Sequence, residues 1–269
     1  MMKLIAQSDD YGITPGCARG ALEAIRHGII RNTGLFANMP WAKECVDEIS
    51  PFLDQIAFGI DLNASTGPSL LGHEALPALT KEDGMFYGSR ENRAMDNDEN
   101  GHDHLAAVSD QLEAEFEAQI QMYIKLVGNE PDYIHNHAYG TATTMAVSQK
   151  LAAKYHCIWT DSVMKKENVA PAGMGWYKFG ASPEKQLEED MTGYLVSDAG
   201  GMLSSGKEYG YLVCHCGYAD ARIFALSSFN LCRTKDLEAV TSDAVAQWVK
   251  DHGIELITFR DLPRDWEEK

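Results

Sequence analysis

Four short apolar runs end in acids or imidazoles: KLIAQSDDYG (residues 3–12), IAFGIDLNAS (56–65), YIHNHAYG (133–140) and YLVCHCGYAD (211–220). Asp9 and Asp10 are consecutive, and adjacent carboxylates repel unless a cation lies between them or one stays protonated. On a regular strand neighbouring side chains point to opposite faces, so both acids serve one site only where the strand frays into its loop. Gly12 and Pro15 favour such a break; the alternative is a turn in which one Asp hydrogen-bonds the following backbone. His135 and His137, spaced by two, share one face of a strand and can meet one metal ion, or can sit as ordinary surface or core histidines. Carboxylates and imidazoles gathered at strand ends read as an enzyme site built around a metal ion. In a zinc-type centre the metal lowers the pKa of a bound water toward about 7, and a nearby carboxylate can take its proton.

The elements that must position these residues alternate. After the opening strand, Thr14 and Pro15 cap a helix with Ala18, Leu22 and Ile25 at helical spacing until Gly28. A strand near 34–40, a helix around 41–50 and the strand IAFGIDL follow. Later helices are expected over about 108–127, 141–155 and 234–251, before the strands YIHNHA, CIWTDS and IELITFRDL. Strand and helix alternating in this way predict a parallel sheet closed or nearly closed into a barrel, with the chemistry at the carboxyl ends of its strands. The 269 residues suit one domain spanning 1–269, with no linker dividing it and no fixed-period repeat.

Two stretches interrupt the alternation, about 64–107 and 163–209, and are expected to be loop insertions over the site-bearing face. In the first, Asp96, Asp98, Asn100 and Gly101 match the opening of a calcium-binding loop, but the closing Glu is replaced by Ala107, so a solvated acidic loop is the preferred reading. In the second, Trp176, Tyr177 and Phe179 can stack on a sugar face or pack the loop against the barrel. Cys214 and Cys216 flank His215 without a second cysteine pair, which favours packing over a soft metal site.

Composition narrows the partners. A net charge of −17 disfavours nucleic acid and anionic membrane surfaces and suits a neutral small substrate. Six scattered cysteines read as reduced thiols, and no apolar run approaches the roughly 20 residues that span a bilayer. The basic and apolar pattern of an export signal is absent at the N-terminus, so a cytoplasmic location is expected. Assembly as a homodimer is left open.

The run DDYGITPGCARGALEAIRHGII resembles the opening of the YdjC/ChbG/HpnK family of carbohydrate deacetylases, with its Asp-Asp-Phe/Tyr-Gly turn, Ser/Thr-Pro-Gly and helix ending in His-Gly-Ile. FGIDLNASTGP resembles the family's Gly-Val-His-Leu-Asn-Leu-Thr-x-Gly-Pro, and ALPALTKEDGMFY its loop ending in Asp-Gly-x-Phe. EPDYIHNHAYG resembles Pro-Thr-His-x-Asp-Ser-His-x-His, VCHCGYAD resembles Cys-His-Pro-Gly-Tyr-x-Asp with Cys216 in the proline position, and GIELITFRDL resembles the last strand. The likeness runs in consistent order through nearly the whole chain.

It implies a deformed (β/α) TIM-like barrel that binds one divalent metal ion and removes N-acetyl groups from a small amino sugar or chito-oligosaccharide. By the same resemblance Asp9 is the general base, Asp10 and His137 are metal ligands, and His215 is the second acid/base or oxyanion residue. The family's third ligand is a histidine, and Asp61 stands there. Two residues before its ligand histidine the family has Asp, where this chain has His135; at the family's final His stands Tyr139. The ligands are then Asp10, Asp61 and His137, with His135 as the alternative third ligand or a support behind it. So oxygen-rich a set shifts preference from zinc toward magnesium or manganese. A glycoside hydrolase using Asp9 and a second carboxylate, and a non-catalytic sugar- or metal-binding relative, are the competing readings.

Overall fold

The computed structural model describes residues 1–96 and 103–267. In chain order the elements are β1 (Lys3–Tyr11), α1 (Pro15–His27), β2 (Asn32–Leu35), α2 (Ala42–Ile49), β3 (Ala57–Leu62), α3 (Ser89–Met95), α4 (Ser109–Val127), β4 (Tyr133–Asn136) and α5 (Ala142–Lys154). There follow β5 (Ile158–Trp159), α6 (Thr160–Met164), β6 (Val169–Pro171), α7 (Pro183–Gln186), α8 (Met191–Val196), β7 (Tyr209–Cys214), α9 (Ala221–Leu226), α10 (Cys232–Val240), α11 (Asp243–Asp251) and β8 (Glu255–Ile257). The strands form one parallel sheet in the order β5-β4-β3-β2-β1-β7-β6. β8 joins beside the first half of β1, pairing Lys3–Ile5, while β2 pairs its second half from Gln7 to Tyr11. This is the expected deformed TIM-like barrel, curled but open: among the described residues β5 and β6 do not pair.

Period-two alternation divides the core. Ile5, Ala57, Tyr133, Tyr209 and Tyr211 point into the curl and pack there with Phe259 and Trp266. Leu4, Ala6, Phe58, Ile60 and Leu212 point outward against the helices. Gly59 lets the curl close over an aromatic ring, since a Cβ there would lie 2.6 Å from the Tyr133 ring.

Helix starts follow the capping signals. Thr14 accepts from the Cys17 N–H at 3.1 Å with Pro15 at the first position, and Gly28 ends α1. The helix expected over 234–251 is instead two, α10 and α11. Ser242 turns the chain, its hydroxyl donating to the Ala239 carbonyl and capping the Val245 N–H of α11. The strand expected near 34–40 is shorter and earlier, Asn32–Leu35. The stretch 163–209 is less of a loop than its composition suggests, for it contributes the edge strand β6. The stretch 64–107 is fastened by the buried Glu115 of α4, whose carboxylate accepts the Leu70 and Leu71 N–H groups at 3.0–3.2 Å. Asp98, Asn100 and Gly101 of the calcium-like pattern lie outside the described residues.

Gly59→Ala should destabilise the fold by about 1–3 kcal/mol, the usual scale of an overpacked core. Urea denaturation checks it, with a lower midpoint and an unchanged slope expected.

Candidate active site

The inward alternation that buries Ile5 and Tyr211 carries on to the carboxyl ends of the strands, where the inward positions are Gln7 and Asp9 on β1, Asp61 on β3, His135 on β4 and His215 just past β7. Asp61 and His135 are register partners on adjacent strands. Asp9 is 5% exposed, and the His135 and His215 side chains each 15%. Gln7 accepts from the Tyr211 hydroxyl at 2.6 Å and donates its own amide to Asp9 Oδ1. Asp9 Oδ2 then faces His135 Nε2 at 3.1 Å and His215 Nε2 at 4.0 Å.

Asp10 would point the other way on a regular strand. The pairing of β1 with β2 instead slips between Ser8 and Tyr11, and Asp10 takes a left-handed backbone with φ 66°. For a residue with a Cβ that conformation costs roughly 1–2 kcal/mol, and three polar contacts offset it here. The Asp10 N–H donates to Asp61 Oδ2 at 2.6 Å, Asp10 Oδ1 meets His137 Nδ1 at 2.7 Å, and Asp10 Oδ2 meets the buried Arg233 Nη2 at 2.6 Å. The strand frays where Asp9 and Asp10 had to be brought to one side.

Charges balance in pairs. Burial alone would raise Asp10, but His137 and Arg233 hold its carboxyl well below the usual range. Burial likewise opposes ionisation of Asp9, and the His135 imidazole overrides it to lower the carboxyl. Burial would lower His135, yet the Asp9 carboxylate raises it to about 9. For Asp61 the balance falls the other way: burial first and the Asp9 charge second push it well above the carboxylate range, against the pull of His135. Its Oδ1 has no hydrogen-bond partner. A Cβ at residue 34 would come 2.0 Å from that oxygen, so Gly34 makes the room it occupies.

Around His215 the setting is aromatic. Its backbone N–H donates to Asp236 Oδ2 at 2.7 Å, Tyr177 OH lies 3.0 Å from its Nδ1, and the Phe229 ring packs edge-on at 4.9 Å between centroids. Burial lowers His215 to about 4, against the pull of Asp10 and Asp9, so the imidazole is neutral near pH 7.

The structure thus gathers Asp9, His135 and His215 at one mouth and Asp10, His137 and Asp61 beside it. Arg233, Asp236, Gln7 and Thr160, whose hydroxyl lies 2.7 Å from His135 Nδ1, are contributors that the sequence reading did not single out. Two of them had a signal. Arg233 and Asp236 share the buried face of α10 with Leu237 and Val240, and charged residues on an apolar helix face require partners. Trp176 and Tyr177 are buried, which leaves the largely exposed Phe179 as the aromatic free to meet a ligand. Asp96 is half-buried rather than solvated, accepting from the Tyr139 hydroxyl at 2.7 Å and bonded to His104 Nδ1 at 2.8 Å.

The oxygen and nitrogen donors suit a small divalent cation. Asp61 Oδ1, buried and unpartnered, is an acceptor such an ion would complete, whereas both nitrogens of His135 are engaged with Asp9 and Thr160, and both of His137 with Asp10 and Thr66. Asp10, His137 and Asp61 do not bring three ligand atoms within 4.8 Å of one another; among the described residues Asp96, Asp103 and His104 do. That second trio is held by its own hydrogen bonds to Tyr139, Leu105 and Thr143.

An open parallel barrel with carboxylates and imidazoles at its strand ends defines an α/β-barrel enzyme. The chain belongs to the YdjC-like protein family, which matches residues 3–251. Over 97% of its length it is 26% identical to the whole of a carbohydrate deacetylase of Thermoanaerobacter pseudethanolicus, and 27% identical to the whole of one from Listeria monocytogenes. In fold it is similar to a putative cellobiose-phosphate cleavage protein of Enterococcus faecalis V583, with a TM-score of 0.75, 21% identity and coverage of 96% of this chain and 98% of that one.

His135 is raised from 6.5 to about 9 on folding, so the stability it contributes is complete below pH 6.5 and is lost as pH rises through 9. Unfolding free energy measured in chelator should fall across that window, and His135→Gln should flatten the fall.

Proposed function

We propose that the protein is a carbohydrate deacetylase that hydrolyses the N-acetyl group of a small amino sugar or chito-oligosaccharide with the help of one divalent metal ion. The observation that carries this reading is the juxtaposition of Asp9 and His215, 4.0 Å apart at the barrel mouth, beside the Asp10, His137 and Asp61 donors. The full-length match to carbohydrate deacetylases supports the same chemistry.

Asp10, His137 and Asp61 would hold the ion, with magnesium, zinc or manganese as candidates. When bound, the ion supplies Lewis-acid polarisation of the amide carbonyl. Asp9 accepts a proton from the attacking water through Oδ2, while Gln7 and the His135 imidazolium keep its carboxylate in place. His215 Nε2, across from Asp9, delivers a proton to the amine nitrogen as the C–N bond breaks. Arg233 holds Asp10 ionised and aimed at the site. Phe179, stacked parallel to Phe229 at 6.1 Å beside His215, offers an apolar face for a pyranose ring.

Purified protein incubated with N,N′-diacetylchitobiose should release acetate and no new reducing ends. Chelator should abolish the release and added divalent metal restore it. Asp9→Asn should lower turnover by about 10²-fold while retaining metal. Reducing ends released in chelator would replace this reading with a glycoside hydrolase.

Metal content separates the two candidates for the third ligand. Asp61→Ala should lose the ion, whereas His135→Ala should keep it and lower affinity by about 10–100-fold, as the loss of a supporting residue does.

A further inference from the structure

Behind His215 lies a buried group to which the proposed chemistry gives no task. Asp236, on α10, is fully buried and accepts at both oxygens. Oδ1 takes the Trp176 indole N–H at 3.1 Å, and Oδ2 takes the His215 backbone N–H at 2.7 Å together with the Tyr177 hydroxyl. That hydroxyl also lies 3.0 Å from His215 Nδ1. Indole and amide N–H groups only donate, so both belong to the carboxylate, and a phenol has a single proton to give.

We infer that Tyr177 is a positioning residue that, held by Asp236, fixes His215 as its Nδ1–H tautomer and turns the Nε2 lone pair toward Asp9. With the phenolic proton committed to Asp236, the Tyr177 oxygen has only lone pairs left for His215, so Nδ1 must carry the hydrogen of the contact. Burial raises Asp236 to about 7, so above neutrality it is a carboxylate and can only accept. The indole of Trp176 and the ring of Phe229 pack against Tyr177 at 4.7 and 4.6 Å, which fixes the phenol in place.

The consequence for catalysis rests on the deacetylase reading. A resting His215 with a free Nε2 lone pair has no proton to give the amine, so it must first receive one. Asp9 takes a proton from water as the new C–O bond forms, Nε2 takes that proton up, and the imidazolium passes it to nitrogen as the C–N bond breaks. One proton leaves water and one reaches the amine, and both residues end as they began.

The test reads the tautomer directly. In ¹⁵N-histidine-labelled protein at pH 9, a long-range proton–nitrogen correlation spectrum, with His215 identified by its loss in His215→Gln, should show Nδ1 protonated and Nε2 bare. Tyr177→Phe keeps the ring and removes the oxygen. It should shift His215 toward the Nε2–H form and lower kcat about tenfold with KM within twofold, at unchanged circular dichroism. Asp236→Asn, able to donate to Tyr177, should drive the same tautomer change. A wild-type His215 protonated at Nε2, or a Tyr177→Phe protein with unchanged tautomer and kcat, would overturn the inference. The spectrum is recorded without substrate, so failure to release acetate from any amino sugar would sink the deacetylase reading and leave the tautomer assignment standing.

Discussion

The left-handed turn at Asp10 is the constraint on which the rest of the site depends. A regular β1 would send Asp9 into the barrel and Asp10 out among the helices, where a second buried carboxylate would have no partner. The slip in pairing with β2 and the φ of 66° bring both to the mouth, and three groups from distant parts of the chain hold the bend. Asp61 accepts the Asp10 N–H, Arg233 donates to the Asp10 carboxylate, and His137 Nδ1 meets its other oxygen. The strain is local and its compensation is long-range. The bend therefore draws its support from β3, the end of β4 and α10 together.

Electrostatics then sorts the acids by their company. Asp9 and Asp10 are kept ionised by the basic side chains at hydrogen-bond distance, and Asp9 in turn holds His135 positive. Asp61 and Asp236, equally buried, are pushed up instead: the pull of His135 on Asp61 falls short of burial and the Asp9 charge, and Asp236 faces no cation. Four carboxyls within one site thus divide into two that are charged and two that are reluctant to be. The reluctant pair does different work: Asp61 keeps an oxygen free beside Asp10, whereas Asp236 gathers donors around the backbone and ring of His215.

Much of this was legible in the sequence, for identifiable reasons. Period-two runs ending in acids and imidazoles located the strand ends, Thr14 and Pro15 marked a helix start, and the need to reconcile Asp9 with Asp10 required a fray in β1. What stayed hidden was whatever depended on tertiary pairing. Ser242 breaks a run that reads as one helix, because a hydroxyl cap competes with helix continuation only when the second helix has somewhere to pack. Arg233 and Asp236 are visible as charges on an apolar face, but nothing local says that one meets Asp10 and the other His215. Tyr177 could equally have stacked on a ligand or packed its loop against the barrel, and it is a buried, hydrogen-bonding ring. Phe179, two residues on, took the exposed place.

The exchange of types between positions 61 and 135 that the family resemblance implies gains a physical sense from the register. Asp61 and His135 are direct partners on β3 and β4, so swapping acid for imidazole across that rung preserves the charge of the layer while moving it sideways by one strand. The imidazole now sits against Asp9, bonded on its far side to Thr160, and the acid sits against the Asp10 backbone. Asp9 thereby acquires a cationic neighbour that lowers its proton affinity, which makes a weaker base than a free carboxylate would be. In the proposed deacetylase, a site built this way would lean harder on its second proton carrier. His215, neutral and facing Asp9 across 4.0 Å, is the group placed to take that share, so the exchange at one rung and the aromatic buttress behind His215 belong to the same arrangement.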